Sequence, residues 1–147
     1  MQTSTGPPEA HSSLREAGLR VTAPRIAVLR ALQEHPHSTV DLIAVEVRTV
    51  LGSVSTQAVY DVLRVCTQAG LVRRIEPAGS PARFETRTGD NHHHLVCRTC
   101  GAVADTDCVL SEAPCLTPTD ARGFVVDEAE VVFWGHCPDC QESRTPR

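Results

Sequence analysis

Hydrophobic side chains recur every three to four positions through the first half of the chain, a period that predicts helices. Residues 11–18 form a short first helix. A second helix begins after Thr22, whose hydroxyl is a good N-cap, and Pro36 marks its end. Thr39 caps a third helix, which Gly52 stops. The hydrophobic positions predicted to face the core from the second and third helices are Ile26, Leu29, Leu32, Ile43, Val47, Val50 and Leu51.

A fourth helix, predicted over residues 55–69, has an apolar side and a polar side. Its apolar positions, which should face the core, are Val59, Leu63, Cys66 and Gly70. Its polar positions are Gln57, Tyr60, Asp61, Arg64 and Gln68. A solvated face is the simpler interpretation of the polar side. Contact with nucleic acid is the alternative, and the next segment favours it.

The segment after the fourth helix predicts a basic hairpin. Residues 71–76 and 82–86 form two short strands joined by a turn rich in Pro, Gly and Ser, and Arg73 and Arg74 lie on the first strand. These arginines are either ordinary surface charges or contacts to phosphate. Helices followed by a basic hairpin are typical of a winged helix-turn-helix, in which the last helix enters the major groove of DNA and the hairpin touches the backbone.

Strand patterns dominate the second half of the chain. Residues 93–97 and 102–107 are predicted strands on either side of a Cys-x-x-Cys turn. Two prolines within residues 108–122 leave room for only a short helix there. Residues 124–134 are a long strand candidate, interrupted by the run Asp-Glu-Ala-Glu. Helices followed by strands predict an α+β protein.

Charge and cysteine content differ between the two halves. Residues 1–87 carry ten arginines against eight acidic residues, whereas residues 88–147 carry four against ten. The first half is only mildly basic, so any contact with DNA should be local. No apolar run approaches the roughly 18–20 residues of a membrane span, and the N-terminus has no signal-peptide pattern. We therefore expect a cytoplasmic protein whose seven cysteines bind metal rather than form disulfides.

Two Cys-x-x-Cys pairs, Cys97 with Cys100 and Cys137 with Cys140, are the strongest chemical signal in the sequence. Each pair lets one turn supply two thiolates, and four thiolates complete a tetrahedral Zn²⁺ site. A redox dithiol is the alternative, but such sites carry one pair in a βαβ setting. A zinc hydrolase or deaminase is disfavoured, because the chain lacks His-x-Glu and four thiolates leave no open position on the ion.

Three consecutive histidines precede the first cysteine pair. On a strand, His92 and His94 point to one side and His93 points to the other. Two imidazoles on one side can chelate an ion, and imidazole with carboxylate suits Fe²⁺, Mn²⁺ or Zn²⁺. Further candidate ligands are Glu85, Asp90, Asp105, His35 and His37.

Three cysteines lie outside both pairs. Cys108 and Cys115 are either buried or free thiols, or groups that respond to oxidation or serve as auxiliary metal ligands. Cys66 lies on the apolar side of the fourth helix and is predicted to belong to the core.

These motifs together resemble the ferric uptake regulator family of metal-dependent bacterial repressors. The resemblance covers nearly the whole chain, and within it the sequence looks most similar to the actinobacterial subgroup that senses iron or peroxide and represses a catalase-peroxidase gene. The stretches that carry it are GLRVTAPR (18–25), HPHSTVDLI (35–43), QAVYDVL (57–63), AGLVRR (69–74), NHHHLVCRTCG (91–101) and GHCPDC (135–140).

The resemblance implies a homodimer that binds double-stranded operator DNA and represses its own promoter as well. Sensors of zinc, nickel or manganese with the same fold are the alternatives. The implied regions are a disordered tail (1–10), a winged-helix DNA-binding domain (11–87), a hinge (88–91), a small α/β metal-binding dimerisation domain (92–141) and a flexible tail (142–147).

The resemblance also assigns residues to sites. The implied structural site holds one Zn²⁺ per subunit through Cys97, Cys100, Cys137 and Cys140. The implied regulatory site binds Fe²⁺ or Mn²⁺ through His37, Glu85, His92, His94 and Asp105. Together with the polar side of the fourth helix and the hairpin, the expected DNA contacts are Arg20, Ser55, Thr56, Gln57, Tyr60, Arg64, Arg73 and Arg74.

Two places depart from the pattern of the family. Some members have a third metal site built partly from the residue between the paired histidines and a His on the long C-terminal strand. This chain has His93 and Ala129 there, although Glu112 keeps an acidic position. Many members follow the recognition Tyr with Arg or Asn, where this chain has Asp61. An acid beside phosphates is unfavourable, so we expect a different operator or contact geometry.

Overall fold

The computed structural model describes residues 9–142, so the two predicted tails fall largely outside the described residues. The chain folds as two compact units, one ending at Gly89 and the other beginning at Asp90. Both units combine helix with β-sheet, which confirms the α+β class.

Four helices build the first unit: α1 (Ala10–Glu16), α2 (Ala23–Glu34), α3 (Val40–Leu51) and α4 (Thr56–Gln68). The predicted caps of α2 and α3 are confirmed, because the hydroxyls of Thr22 and Thr39 each accept a hydrogen bond of 3.4 Å from the N–H three residues later. Ser55 caps α4 in the same way, at 3.0 Å. Each of these helices therefore begins where a side-chain oxygen satisfies an amide that the first turn leaves without a carbonyl partner.

A small antiparallel sheet completes the first unit. Its strands are β1 (Ser38–Thr39), β2 (Arg73–Ile75) and β3 (Arg83–Glu85), in the spatial order β1-β3-β2. β2 and β3 form the predicted hairpin. β1 is a strand that the sequence analysis missed, because two residues carry no alternating pattern. It exists through its backbone pairing, with Ser38 opposite Phe84.

The core of the first unit lies between the helices and this sheet, and it includes residues such as Leu14, Leu32, Ile43 and Leu63. Two predicted core positions are wrong. Val50 is 73% exposed, because it lies in the last turn of α3 at the margin of the side that Ile43 and Val47 bury. Gly70 is exposed and lies beyond α4 with φ of +77°, where it ends the helix instead of packing.

Replacing Leu63 with alanine is expected to lower the free energy of unfolding of the first unit by about 2–5 kcal/mol, because the side chain is buried and its removal leaves a cavity. Urea denaturation followed by the helical circular dichroism signal measures the change. Leu42→Ala is the matched control, since Leu42 is a helical leucine that is 55% exposed, and we expect less than about 0.5 kcal/mol. Equal losses in the two variants would contradict the assignment of the core.

Among the described helices, none has by itself the length and apolar composition of a membrane span, and only α3 and α4 taken together, bent by 106° at their break, pass that test.

The second unit is a three-stranded sheet with one short helix. Its elements are β4 (His92–Cys97), β5 (Val103–Asp107), β6 (Val132–Gly135) and α5 (Pro138–Glu142), and the strand order is β5-β4-β6. β4 pairs antiparallel with β5 and parallel with β6. The parallel pairing sets Cys97 opposite Gly135, so the chain leaves β4 and β6 at the same edge of the sheet. Each strand end leads into one Cys-x-x-Cys pair.

Two predictions for the second unit are wrong. Residues 108–122 form bends and no helix, and of the strand predicted over residues 124–134 only the part in β6 forms. Phe124 and Val125 are 78% and 96% exposed, and no strand of the described chain pairs with them. Hydrophobic alternation indicates which side chains prefer burial, but a strand also needs a backbone partner for its N–H and C=O groups.

Candidate metal centres

Four cysteine thiols meet at one edge of the second unit's sheet. Cys97 ends β4, and Cys100 follows in a tight turn where the Gly101 N–H donates to the Cys97 carbonyl at 3.0 Å. Cys137 follows β6, and Cys140 lies in α5. Because β4 and β6 end side by side, both turns present their thiols to the same point. The four sulfur atoms lie within 4.8 Å of one another.

The spacing of these thiols fits a tetrahedral zinc ion. The Sγ atoms of Cys100 and Cys137 are 3.7 Å apart. A tetrahedron with Zn–S bonds of about 2.3 Å has edges of about 3.8 Å. Four thiolates also complete the coordination of Zn²⁺, so the donor set fits a structural site and leaves no position for a substrate.

The electrostatics of the cluster favour a bound cation. Hydrogen bonds from the backbone N–H groups of Cys100 and Cys137 lower the pKa of the Cys97 thiol to about 5, and the Cys137 N–H lies 3.4 Å from that sulfur. The opposite holds for Cys140, where a hydrogen bond with the Cys137 thiol raises the pKa to about 12. Without a cation the cluster therefore mixes thiolates with thiols, and four thiolates together require a central positive charge.

His92, His94 and Asp105 share one face of the same sheet. The β4–β5 register sets His94 directly opposite Asp105. Asp105 Oδ1 lies 3.3 Å from His94 Nε2 and 3.4 Å from His92 Nε2, and the two rings meet edge to face with centroids 4.9 Å apart. Both imidazoles are 1% exposed. Two ring nitrogens and a carboxylate oxygen thus converge at a buried point, a donor set that suits Fe²⁺, Mn²⁺ or Zn²⁺.

Asp90 positions the ring of His92. Its Oδ1 lies 2.6 Å from His92 Nδ1. With the proton on Nδ1 and donated to Asp90, the Nε2 lone pair faces Asp105, which is the arrangement that metal-binding histidines adopt. Sequence reasoning counted Asp90 among the possible ligands, whereas the geometry gives it a role through His92. The feature of the sequence that could have indicated this role is the position of Asp90, two residues before His92.

A second buried pair of imidazole and carboxylate lies in the first unit. His37, at φ of 64°, donates its backbone N–H to the Phe84 carbonyl at 2.8 Å. Its Nε2 lies 2.9 Å from Oε2 of Glu85, the last residue of β3, which is 1% exposed. His35, the other histidine considered from the sequence, is exposed. The two side chains form a buried hydrogen bond between imidazole and carboxylate, and together they offer one nitrogen and one oxygen donor.

The exposed side of α4 carries polar residues predicted to contact DNA. Tyr60 is 51% exposed. At the start of the helix, Arg48 Nη2 donates to the hydroxyl of Thr56 at 3.1 Å, and its Nε donates to the carbonyl of Val54 at 3.0 Å. These hydrogen bonds tie α3 to the first turn of α4, which Ser55 caps. They therefore fix the N-terminal end of α4, which would face a groove of DNA.

Asp61 contacts two of the predicted DNA-binding residues. Its Oδ1 accepts a hydrogen bond of 3.1 Å from the Gln57 amide and lies 3.4 Å from Arg64 Nη2. The negative charge of Asp61, which the sequence analysis found unexpected at this position, is therefore partly neutralised by Arg64 of the same helix. It holds the polar ends of both neighbours on the exposed side of α4.

The remaining predicted contacts also lie in the first unit. Arg73 is half-buried and Arg74 is exposed on β2, where Arg74 forms an ion pair of 3.0 Å with Glu76. Arg20 is exposed before α2, and its carbonyl accepts from Arg25 Nη1 at 2.8 Å. The structure thus places every predicted DNA contact in the helical unit and most predicted metal ligands in the other.

The chain is similar in sequence and in structure to known regulators of one family. Residues 16–132 match the model of the ferric uptake regulator family. The transcriptional regulator FurA of Mycobacterium tuberculosis is 59% identical over 140 residues, which cover 95% of both chains. The peroxide-responsive repressor PerR of Staphylococcus aureus is 34% identical over 136 residues, which cover 91% of this chain and 90% of PerR. The crystal structure of the Vibrio cholerae ferric uptake regulator aligns with a TM-score of 0.65 and 28% identity, over 86% of this chain and 98% of that one.

These matches confirm the family predicted from the sequence and its similarity to regulators of the FurA type. They also confirm the predicted class, a transcriptional regulator and not an enzyme. The chain therefore belongs to the ferric uptake regulator family.

Proposed function

We propose that the protein is a metal-dependent repressor that binds operator DNA as a homodimer in the cytoplasm. One observation carries the proposal: a buried set of imidazoles and a carboxylate lies on the same small sheet as a separate cluster of four thiols. Thiolates retain Zn²⁺, whereas nitrogen and oxygen donors suit ions that exchange more readily, such as Fe²⁺ or Mn²⁺. One chain can then keep a permanent metal and respond to a second one.

The four cysteines would hold the structural Zn²⁺, whose charge lets four thiolates share one point. The chain braces this site with its own contacts. The Arg98 N–H donates to the Gly135 carbonyl at 2.8 Å, and the Arg98 guanidinium lies over the Trp134 ring at 5.3 Å. These contacts join the turn after β4 to the end of β6, so the two cysteine pairs stay in register.

The regulatory site that we propose takes nitrogen and oxygen ligands from both units. Its ligands are His37 and Glu85 of the first unit and His92, His94 and Asp105 of the second. When bound, Fe²⁺ or Mn²⁺ supplies the positive charge that holds these donors together. Shared ligands restrict the motion of the helical unit, so metal affinity and DNA affinity become coupled, and each ligand strengthens the binding of the other.

The chain's own DNA-binding elements would be α4 and the β2–β3 hairpin. In a homodimer the two copies of α4 must lie about 34–36 Å apart to enter successive major grooves. Tyr60 and the polar side chains near it would contact bases, and the arginines of β2 would contact phosphates. The proposed targets are a catalase-peroxidase gene and the regulator's own promoter.

Peroxide is the second signal that we propose, and the similarity to a peroxide-responsive repressor supports it. The candidate targets are the imidazoles of the regulatory site and the thiolates of the zinc site. Peroxide would oxidise either group to a poorer ligand (a thiolate first to a sulfenic acid, with release of hydroxide), so the ion would be bound more weakly and the repressor would leave DNA.

A measurement of DNA binding with and without the metal ion tests this function directly. Zinc-loaded homodimer is treated with a chelator that leaves the zinc of the four-cysteine site in place, then titrated onto an operator duplex with and without Fe²⁺ or Mn²⁺ under anaerobic conditions. We expect the ion to raise DNA affinity about 5–150-fold, the range of typical allosteric coupling, and peroxide to reverse the gain. Equal affinity with and without the ion would contradict the proposal.

A sensor of zinc, nickel or manganese is the alternative within the same fold. The donor set of His and carboxylate groups is compatible with each of these ions, because selection depends on geometry and metal availability as well as ligand type. The same titration, repeated with each ion at matched free concentrations, separates these sensors by the ion that promotes DNA binding at the lowest concentration.

Asp61→Asn is expected to strengthen DNA binding about three- to tenfold at low salt. The change removes a negative charge from the exposed side of α4, where that charge would repel the phosphates of bound DNA. The gain should shrink as salt rises, because salt screens exposed charges. Fluorescence anisotropy with a labelled operator measures the effect.

Asp120→Asn is the matched control, because it makes the same change of net charge at an exposed position of the second unit. If Asp61→Asn weakens binding instead, the hydrogen bond that Asp61 accepts from Gln57 and its ion pair with Arg64 matter more than its repulsion of phosphate.

A further inference from the structure

A second cluster of metal-binding side chains lies on the opposite face of β4 from His92 and His94. It consists of His93, Cys108 and Cys115, whose donor atoms all lie within 4.8 Å of one another. His93 is 5% exposed and Cys108 is 9% exposed, while Cys115 is half-buried. None of the three takes part in the four-thiol cluster or in the proposed regulatory site.

The fold explains why these residues meet. His93 sits opposite Thr106 in the β4–β5 register, so both side chains point to the same face. Cys108 comes two positions after Thr106 and continues that side of the chain. Cys115 comes from the bent segment that follows β5, and its Sγ lies 3.2 Å from His93 Nε2.

We propose that His93, Cys108 and Cys115 form a further metal site for a thiophilic d¹⁰ cation, Zn²⁺ or Cu⁺. Two thiolates and one imidazole are ligands that both ions prefer, whereas oxygen-seeking ions such as Mg²⁺ or Mn²⁺ prefer carboxylates and carbonyls. Three protein donors suit a three-coordinate Cu⁺, or a Zn²⁺ that completes its tetrahedron with water.

The donor set differs from the third site known in some family members. The acidic residue at that place, Glu112, is exposed and does not belong to the cluster. The position where those members carry a histidine is Ala129, whose carbonyl lies 4.0 Å from Cys115 Sγ. In this chain Cys115 therefore lies beside Ala129 and contributes a sulfur donor to the cluster.

The hydrogen bonds of His93 indicate how firmly the site binds. The Val131 N–H points at His93 Nδ1 at 3.3 Å, so without metal the neutral ring carries its proton on Nε2, facing Cys115. Ligation through Nε2 moves that proton to Nδ1 and turns the Val131 N–H away. The lost hydrogen bond and the smaller number of thiolates make this site weaker than the four-cysteine site, so a chelator should empty it first.

Metal stoichiometry of the reduced, full-length homodimer tests the proposal. The protein is treated anaerobically with a mild chelator that spares the four-cysteine zinc, and is then titrated with Zn²⁺, or with Cu⁺ against a chromophoric competitor. His92→Ala serves as the background, because it removes the imidazole that would bind the same ions in the regulatory site. In this background we expect Cys115→Ser and Cys108→Ser each to lower the number of tightly bound ions by one per chain.

Cys66→Ala is the control that removes a thiol from the core of the first unit, and its stoichiometry should not change. Retained four-cysteine zinc and an unchanged circular dichroism spectrum show that each variant is folded. If the parent binds one additional ion per chain, the site is supported whether that ion is Zn²⁺, Cu⁺ or either of the two. The titration that shows the additional ion identifies which ion the site accepts. The same stoichiometry in Cys115→Ser as in its parent would overturn the proposal.

Thiol protection in the unmodified chain gives a test that needs no variant. The chelated protein is alkylated with and without Zn²⁺ or Cu⁺, and each cysteine is followed by mass spectrometry. Alkylation of Cys108 and Cys115 should slow together, about tenfold when nine tenths of the site is filled. Burial raises the pKa of the Cys66 thiol, so that residue should react slowly in every sample. Unchanged alkylation of Cys108 and Cys115 with both ions would overturn the proposal.

Discussion

Replacing Cys97 with serine is expected to abolish zinc binding and to unfold the second unit. The thiol of Cys97 belongs to the four-sulfur cluster, and its residue is the last of β4. Structural Zn²⁺ contributes about 10–16 kcal/mol in small zinc-binding domains. Whole domains have a net stability of only about 5–15 kcal/mol, so a loss of this size removes the folded state.

We expect the second unit to depend on the proposed zinc ion, because its hydrophobic core is small. Among the described residues from Asp90 onward, the buried apolar side chains are Val96, Cys97 and Cys108. The first unit, by contrast, buries a continuous cluster from four helices and a sheet. A small unit with so little apolar burial needs a further cross-link, which the proposed zinc site would supply.

Zinc content, limited proteolysis and thermal unfolding test this expectation together. Cys97→Ser should hold no thiol-bound zinc, and proteases should cut after Gly89 while the helical unit stays intact. Cys66→Ala is the matched loss of a thiol from the first unit, and it should retain its zinc. A Cys97→Ser chain that keeps both zinc and a protease-resistant second unit would contradict the structural role of the cluster.

The helices and the cysteine cluster were predictable because their signals are local. Thr22 and Thr39 mark helix starts through hydrogen bonds that span three residues. The two Cys-x-x-Cys pairs each fit one turn, so their chemistry is visible without knowledge of the fold. The parallel pairing of β4 with β6, which brings the two cysteine pairs together, is not visible in the sequence, because it joins residues 38 positions apart.

The parts that the sequence did not predict depend on long-range pairing. β1 is a strand only because Phe84 lies opposite Ser38. The pattern over residues 124–131 suggests a strand, but no described strand pairs with residues 124–130, and of this segment only Val131 accepts a backbone hydrogen bond from β4, from the His94 N–H at 3.4 Å. His93 was recognised as pointing away from its neighbours, yet its proximity to Cys115 follows from the path of the bent segment after β5, which no periodicity encodes.

Replacing His94 with alanine is expected to abolish the metal dependence of DNA binding without affecting structural zinc. The change removes the imidazole whose Nε2 lies 3.3 Å from Asp105, on the opposite side of β4 from His93. Loss of residues that merely support a metal ligand costs about 10–100-fold in metal affinity, so loss of a ligand should cost at least that much. The stimulation of DNA binding by Fe²⁺ or Mn²⁺ should then fall from about 5–150-fold to none at the same ion concentration.

Two variants separate the loss of a ligand from general damage. Asp105→Asn should weaken metal stimulation in the same direction, because it removes the charge that both ring nitrogens face. His35→Ala removes an exposed histidine and should leave the stimulation unchanged. Zinc content and the affinity for DNA without added metal serve as internal standards, since both should be equal in all the proteins. If His94→Ala retains the full stimulation, the imidazole–carboxylate set on β4 and β5 is a buried structural network, and the responsive metal binds elsewhere.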